Sequence, residues 1–509
     1  MESVISERLT IVMLLFGLSS TCLWGEPSRQ TTNELIAEGI ELGYNFDRSA
    51  FSKFDEVIRR EPEHPRGYFL KATGFFWFSL VNPANESARV QFRDLSKTAI
   101  EKAENRLRQN GEDLDAHFFL GAASGNLGRF YALENRWLKA FWHGRRGKNT
   151  LLRIVELDPD YHDAFLGLGI YHYYTAVLPK VVRALSYIMG IQGDKELGLR
   201  ELVQAATKGN LARTEARFFL GQLYHEQERD FEASQKWFDE LVVRYPGNGL
   251  FRIYQAGNDF ERGRYERVER SLRDLIEQPL EDLPIVESRA FYILGKTYAH
   301  TNRYPEAIEH FRRASAVGER LEELRDWAYA GSLFYEGECL EVLGDRDAAL
   351  AAYRRVHEGD NGDAYKRAQI RIASPLLALD VAVMRWRAFR KRGKHREALE
   401  TLLAAMHTSE LDPEQYPTDR LPQLNYRMGE TLVDLSDTER ALVAFIRVLE
   451  TVKKDDRFLI SWTHFQMGRC YNMQGRKQEA RGAFETALIY ADDELKEEIV
   501  KIMGDEVAQ

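Results

Sequence analysis

The side chains that could do chemistry are numerous, but they do not gather into a reaction centre. Twelve histidines are scattered through 509 residues. Asp158, Asp160 and His162 lie closest together, yet Pro159 between them makes Glu156-Leu-Asp-Pro-Asp160 a turn between helices rather than a metal cage. Gly144-Arg-Arg-Gly-Lys-Asn-Thr150 approaches a phosphate-binding loop, but it lacks the four-residue gap between glycines, has Asn directly after Lys and follows no strand. No serine sits in a Gly-x-Ser-x-Gly context, and no two of the abundant carboxylates stand out as a glycosidase pair. Cys22, Cys339 and Cys470 form neither a disulfide framework nor a metal site; the last two read as small buried apolar residues. These residues predict no enzyme, no metal and no cofactor, and they leave binding as the chemistry on offer.

The elements that would position binding groups are most legible in Ser288 to Ala316, which reads as two helices in a hairpin. Phe291, Leu294, Gly295 and Tyr298 share one face of the first helix, and Ala307, Phe311 and Ala314 share one face of the second. Gly295 and Ala307 are small where two helix axes must approach, while Tyr298 and Phe311 fill the space beside them. The same alternation recurs along the chain. It appears as Leu220, Gly221, Tyr224, Ala233 and Trp237, as Met428, Gly429, Ala441 and Phe445, and as Met467, Gly468, Tyr471, Ala480 and Phe484. About eleven such units cover nearly all residues from Thr31 onward.

This pattern resembles the tetratricopeptide repeat. The resemblance implies an all-α superhelical solenoid of helical hairpins, of the kind found in exported bacterial proteins, and a non-catalytic scaffold that holds a peptide or protein. Regular repeats are expected over 211–494 and a capping helix and tail over 495–509. Glu336, Trp386 and Asp259 stand where a small or apolar residue belongs, so their units are expected to be distorted.

Residues 31–210 are expected to hold enlarged repeats. Their second to fourth units are longer than the rest by about 14 to 17 residues, enough for two extra turns on each helix. The additions are aromatic: Phe76-Trp-Phe78, Phe130-Tyr131, Trp137 to Trp142, then Tyr173-Tyr174 and Val181 to Met189. Asn82 to Asn85, His143 to Gly147 and Gly190 to Asp194 are expected turns, with Pro179 breaking a helix. Aromatic residues at helical spacing predict an enlarged core. An exposed lipid-contacting patch is the alternative.

In repeats of this kind the first helix of each hairpin lines the concave side. Positions one, four and five after its small residue then present Asn126, Tyr173 and Tyr174, Gln222 and His225, Lys296 and His300, and Arg469 and Asn472 as groove candidates, a mixed polar and aromatic lining suited to an extended peptide. The net charge of −9 and isoelectric point near 5.9 argue against nucleic acid. The basic run Arg385-Trp-Arg387, Phe389-Arg-Lys-Arg392 and Lys394-His-Arg396 reads as a solvated helix end.

The N-terminus differs in kind. Leu9 to Leu18 is an apolar run of about ten residues followed by small and polar ones, too short for a bilayer span but fitted to a signal peptide over 1–25. The chain is therefore expected to be exported to the periplasm or cell envelope. A lipid anchor at Cys22 is less favoured, because Ser19-Ser-Thr21 lacks the residues usual before a lipidated cysteine.

Overall fold

The computed structural model describes residues 30–177, 193–409, 411–412 and 414–507. The apolar N-terminal run, Cys22, Pro179 and most of the third aromatic addition lie outside them. The described residues form 24 helices, so the protein is all-α and built of paired hairpins. The first four pairs are α1 (Thr32–Tyr44) and α2 (Ala50–Arg60), α3 (Pro65–Val81) and α4 (Glu86–Gln109), α5 (Leu114–Leu133) and α6 (Trp137–Leu157), and α7 (Ala164–Ala176) and α8 (Lys195–Lys208). Then come α9 (Arg213–Glu226) and α10 (Phe231–Arg244), α11 (Gly249–Glu261) and α12 (Tyr265–Ile276), α13 (Pro284–His300) and α14 (Tyr304–Arg320), and α15 (Trp327–Val342) and α16 (Arg346–Arg354). A lone helix α17 (Gly362–Ala373) precedes α18 (Ala378–Lys391) and α19 (His395–Ser409), α20 (Leu421–Asp434) and α21 (Thr438–Thr451), α22 (Arg457–Met473) and α23 (Lys477–Tyr490), and a final α24 (Asp493–Val507).

One contact sets the register inside most hairpins. A Cβ added to Gly295 would come within 2.6 Å of the Phe311 ring, and the same holds for Gly468 against Phe484, Gly429 against Phe445 at 2.4 Å and Gly337 against Tyr353 at 2.4 Å. Glycine lets the two axes close until an aromatic ring from the second helix covers the first. The turn between the two helices is equally regular, because nine hairpins place a residue with positive φ there, among them Asn302, Gly344, Gly393 and Gly475. Asn and Asp side chains then cap the following helix in many units, as Asp345 does by accepting from the Ala348 N–H at 3.0 Å.

The residues that break the pattern have partners. Glu336 is buried, accepts from Arg312 Nε at 2.6 Å and lies 3.7 Å from Arg355. Asp259 is buried against Arg267 at 3.1 Å, and the Trp386 Nε1 donates to Thr431 Oγ1 at 2.9 Å.

The second and third hairpins are taller, with helices of 17, 24, 20 and 21 residues, whereas α9 to α12 have 12 to 14. The fourth departs from expectation. Its helices α7 and α8 have ordinary lengths of 13 and 14, and residues 178–192 in the sequence between them lie outside the described ones. A second correction concerns His143 to Gly147, which lies within α6; the turn is Glu134 to Arg136, with Asn135 at φ 57°. These glycines serve close approach instead. A Cβ on Gly147 would reach the Gly121 carbonyl at 3.0 Å, and one on Gly128 would reach the Gly144 nitrogen at 3.0 Å. The aromatic additions divide: Phe76, Trp77, Phe78, Phe130 and Tyr131 are buried, but Trp137 and Trp142 are 66% and 59% exposed.

The first seven hairpins curl until the chain meets itself. Asn248 Nδ2 donates to the Tyr44 carbonyl at 2.6 Å, the Gly247 N–H donates to Asn45 Oδ1 at 2.9 Å, and Arg48 pairs with Asp282 at 2.9 Å. Trp77 plugs the seam edge-on to Phe218, Phe251 and Tyr44, with ring centroids 5.0, 5.9 and 5.7 Å away. Tyr44 and Trp77 thus share one core with residues reaching Ala368. Separate cores serve Leu379 to Ala483 and Phe465 to Ile499, the last including Leu495 and Ile499 of α24. Among the described residues no helix is long and apolar enough to cross a membrane.

Candidate functional site

The ring encloses a cavity of about 1540 Å³. Its wall is built mainly from first helices, α1, α3, α5, α7, α9, α11 and α13, with α6 contributing along one side. Small residues keep it open: Gly125 on α5 and Gly144 on α6 both line it, and a Cβ on either would meet nothing within 4 Å. Most of the remaining wall is apolar, which makes the few polar groups informative.

Four of the nine groove candidates converge here: Asn126, Tyr174, Gln222 and His225. Tyr254 on α11 donates to Glu226 Oε1 at 2.8 Å, and Gln222 Nε2 donates to the same carboxylate at 3.2 Å. His225 Nδ1 lies 2.6 Å from Asn258 Oδ1, and Asn258 Nδ2 donates onward to Ser234 Oγ at 2.9 Å. That chain holds one polar wall rigid. Burial and the Glu226 charge push the Tyr254 hydroxyl upward, so it stays a donor.

The other five candidates lie elsewhere. Tyr173 is fully buried, because α7 and α8 approach so closely that a Cβ on Gly198 would come within 2.6 Å of the Tyr173 nitrogen; its hydroxyl donates to Glu228. Lys296 and His300 face the end of α18. Lys296 Nζ and Lys391 Nζ stand 4.3 and 4.5 Å from the Phe260 ring centroid, and Lys391 pairs with Glu261 at 2.7 Å. Burial, with the charges of Lys296, Lys391 and Arg387, pulls the His300 imidazole down to about 4. Arg469 and Asn472 belong to the eleventh hairpin, and Arg469 Nη1 donates to Gln466 Oε1 at 3.0 Å. Two members of the basic run Arg385 to Arg396 face a carboxylate: Arg390 and His395 lie 2.5 and 3.4 Å from Asp434.

Several wall groups were not singled out from the sequence. Arg129 lies one further turn along α5 from Asn126 and Gly125, at the eighth position after Gly121, so extending the same stripe would have reached it. Its guanidinium carbon stands 5.0 Å from the Phe76 ring centroid and 4.4 Å from that of Phe219. Glu215, buried nearby, accepts from Trp77 Nε1 at 3.1 Å; burial pushes its carboxyl up while Arg129 and that bond oppose the shift. Arg289 reaches Asp326 at 3.7 Å. The seam residues Trp77 and Asn248 carry no sequence signal of their function, since their partners lie 138 and 204 residues away.

Among the described residues no three His, Cys, Asp or Glu side chains are grouped to hold a metal ion. Asp158 accepts from the Asp160 N–H at 3.0 Å, a turn within the backbone. Cys339 and Cys470 are buried with free thiols, and burial pushes that of Cys470 up to about 11.

A tetratricopeptide-repeat family profile matches residues 192–249 and 255–318, and a second profile of the same description matches 463–489. Over those residues the chain carries tetratricopeptide repeats. Such scaffolds generally mediate protein–protein interactions and are usually not catalytic. Solved structures with similarity include the APC/C hetero-tetramer Cut9–Hcn1, at 14% identity and TM-score 0.26 over 94% of this chain and 91% of that one. A tetratricopeptide repeat protein from Parabacteroides merdae matches at 12% identity and TM-score 0.25 over 57% and 97%. The P58(IPK) TPR domain matches at 10% identity and TM-score 0.20 over 79% and 99%.

Proposed function

We propose that this tetratricopeptide-repeat protein is a non-catalytic scaffold of the cell envelope, taking a segment of a protein partner into the ring of its first seven hairpins. The observation that carries this reading is the convergence of first-helix positions from successive hairpins on one large, mostly apolar cavity with a fixed polar wall. An extended segment offers the apolar side chains and backbone amides that such a wall can take. The apolar run Leu9 to Leu18 supports export.

The test is photo-crosslinking in the native cell, with a photoreactive residue placed at Asn126 or Gln222, and at Val243, which is 84% exposed on a second helix, as the control. Protein adducts from the two cavity positions and none from Val243 are expected. Adducts of equal yield from all three positions, or none from the cavity, refute the scaffold reading.

A second reading has its own observation. Leu133, Trp137, Leu138 and Trp142 are 59 to 71% exposed within ten residues at one end of the third hairpin, a concentration that suits contact with a membrane surface. Flotation of the mature chain with anionic liposomes, lost on combining Trp137→Ser with Trp142→Ser, supports it; a chain that stays at the bottom removes it.

A further inference from the structure

The charges on the cavity wall are not paired with one another, and the unpaired cations point to an occupant. Of the carboxylates there, Glu226 accepts from Tyr254 and Gln222, Glu215 accepts from Trp77, and Asp163 accepts from the backbone N–H groups of Asn210, Leu211 and Ala212 at 2.6, 3.2 and 3.1 Å. Three cations of the wall are not so engaged. Arg129, Arg145 and Lys148 have no hydrogen bond or ion pair among the described residues. Arg129 is held only by the faces of Phe76 and Phe219, and Lys148 only by Tyr171, whose centroid is 4.6 Å away. A guanidinium kept between two rings is oriented, yet all its N–H donors stay available.

The helices place these charges beside apolar surface. On α5, Gly121, Gly125, Arg129 and Leu133 follow one another at four-residue spacing and all line the cavity. On α6, Trp137, Phe141, Arg145 and Lys148 do the same at spacings of four and three. Glycine clears the middle, aromatic and aliphatic side chains form the walls, and cations stand at intervals. Glu215 is the nearest opposing charge, but no ion pair joins it to Arg129, and its hydrogen bond goes to Trp77.

We propose that the cavity binds an amphipathic monoanion of the long-chain carboxylate class, with its carboxylate on Arg129 and its hydrocarbon chain along the glycine-lined apolar wall. This goes beyond the scaffold reading, because it concerns a small ligand and is decided with the purified chain alone. A guanidinium satisfies a carboxylate through two parallel N–H bonds, and dry aromatic surroundings strengthen them. A cationic amphiphile would meet like charge, and a neutral one would leave Arg129 unpaired.

The experiment is calorimetric titration of the full chain, after extraction of co-purified lipid, with dodecanoate, dodecanol and dodecyltrimethylammonium below their aggregation limits. Saturable binding of one dodecanoate is expected, tighter than dodecanol by roughly tenfold and with no detectable binding of the ammonium compound. Arg129→Met should weaken dodecanoate by about tenfold or more while moving dodecanol by less than about threefold. Gly125→Trp, which fills open space at the wall, should abolish both. The head-group comparison needs no variant, so the proposal stays falsifiable if Arg129→Met fails to fold. Absence of saturable dodecanoate binding, equal affinity for the anion and the cation, an unaffected Arg129→Met, or binding that survives Gly125→Trp each overturns it. The last of these outcomes would place the ligand outside the cavity.

Discussion

Ring closure is best tested by joining residues 45 and 247 covalently. An ideal Cβ on Gly247 would lie 3.3 Å from the Asn45 Cβ, close to the roughly 3.5 to 4.5 Å that a disulfide requires, so a shift of a few tenths of an ångström suffices. The two positions are 202 residues apart in sequence. In an uncurled stack they would be separated by four hairpin interfaces at about 10 Å each, far beyond bridging distance. Asn45→Cys with Gly247→Cys should therefore form an intramolecular bond under mild oxidation, whereas either single variant should remain reduced. Cys339 and Cys470 are buried and should not interfere. For a loop of this size, chain-entropy estimates give a stabilisation of roughly 5 kcal/mol. The substitutions also remove the Gly247 N–H bond and the Asn45 Nδ2 bond to the Glu41 carbonyl at 2.8 Å. Comparing oxidised with reduced protein of the same double variant cancels that loss and isolates the bridge. Non-reducing electrophoresis with peptide mapping reads the bond, and thermal denaturation reads its effect. Thiols that stay free, or that pair only between molecules, would mean that the first hairpin does not reach the turn before α11.

Gly429→Leu and Gly468→Leu should each overpack a hairpin against Phe445 and Phe484 and lower stability by about 1 to 3 kcal/mol in urea titration, whereas Gly482→Ala, which meets nothing within 4 Å, should not. The imidazole of His300 is held near 4 in the folded chain, so between about pH 6.5 and 4 the unfolded chain binds the extra proton. Stability should fall as pH falls through that window, by up to roughly 3 kcal/mol, and His300→Gln should flatten the profile there; an unchanged slope would refute the burial.

The hairpin itself was legible because it is local. Gly295 with Phe311, and Gly468 with Phe484, declare their contact within about 16 residues, and each pair meets as the spacing requires. Glycines 144 and 147 were misread because the same residue serves a turn and a close helix approach, and only the position of α5 distinguishes the two. Helix α17 has no counterpart in the repeat and therefore gave no periodic signal. The groove positions were drawn from each hairpin as though all faced one open channel. Curvature decides otherwise: it gathers Asn126, Tyr174, Gln222 and His225 about one cavity, turns Lys296 and His300 toward α18, and leaves Arg469 and Asn472 on the eleventh hairpin, outside the cavity wall.

In an open array each hairpin depends only on its neighbours, and the concave face is as accessible as the convex one. Closure changes both properties for the first seven hairpins. Asn248, Trp77 and Arg48 make α1 to α3 depend on helices more than 130 residues later, so the ring gains long-range contacts that a linear stack lacks. Along part of the inner face burial pulls the Arg129 guanidinium down from its ordinary value, and there a charge without a partner is costly and an opposite charge on an occupant is correspondingly favoured. Arg129 matters for that reason. On an outer helix it would be an ordinary solvated cation, but on the wall of a glycine-lined cavity it selects what can enter.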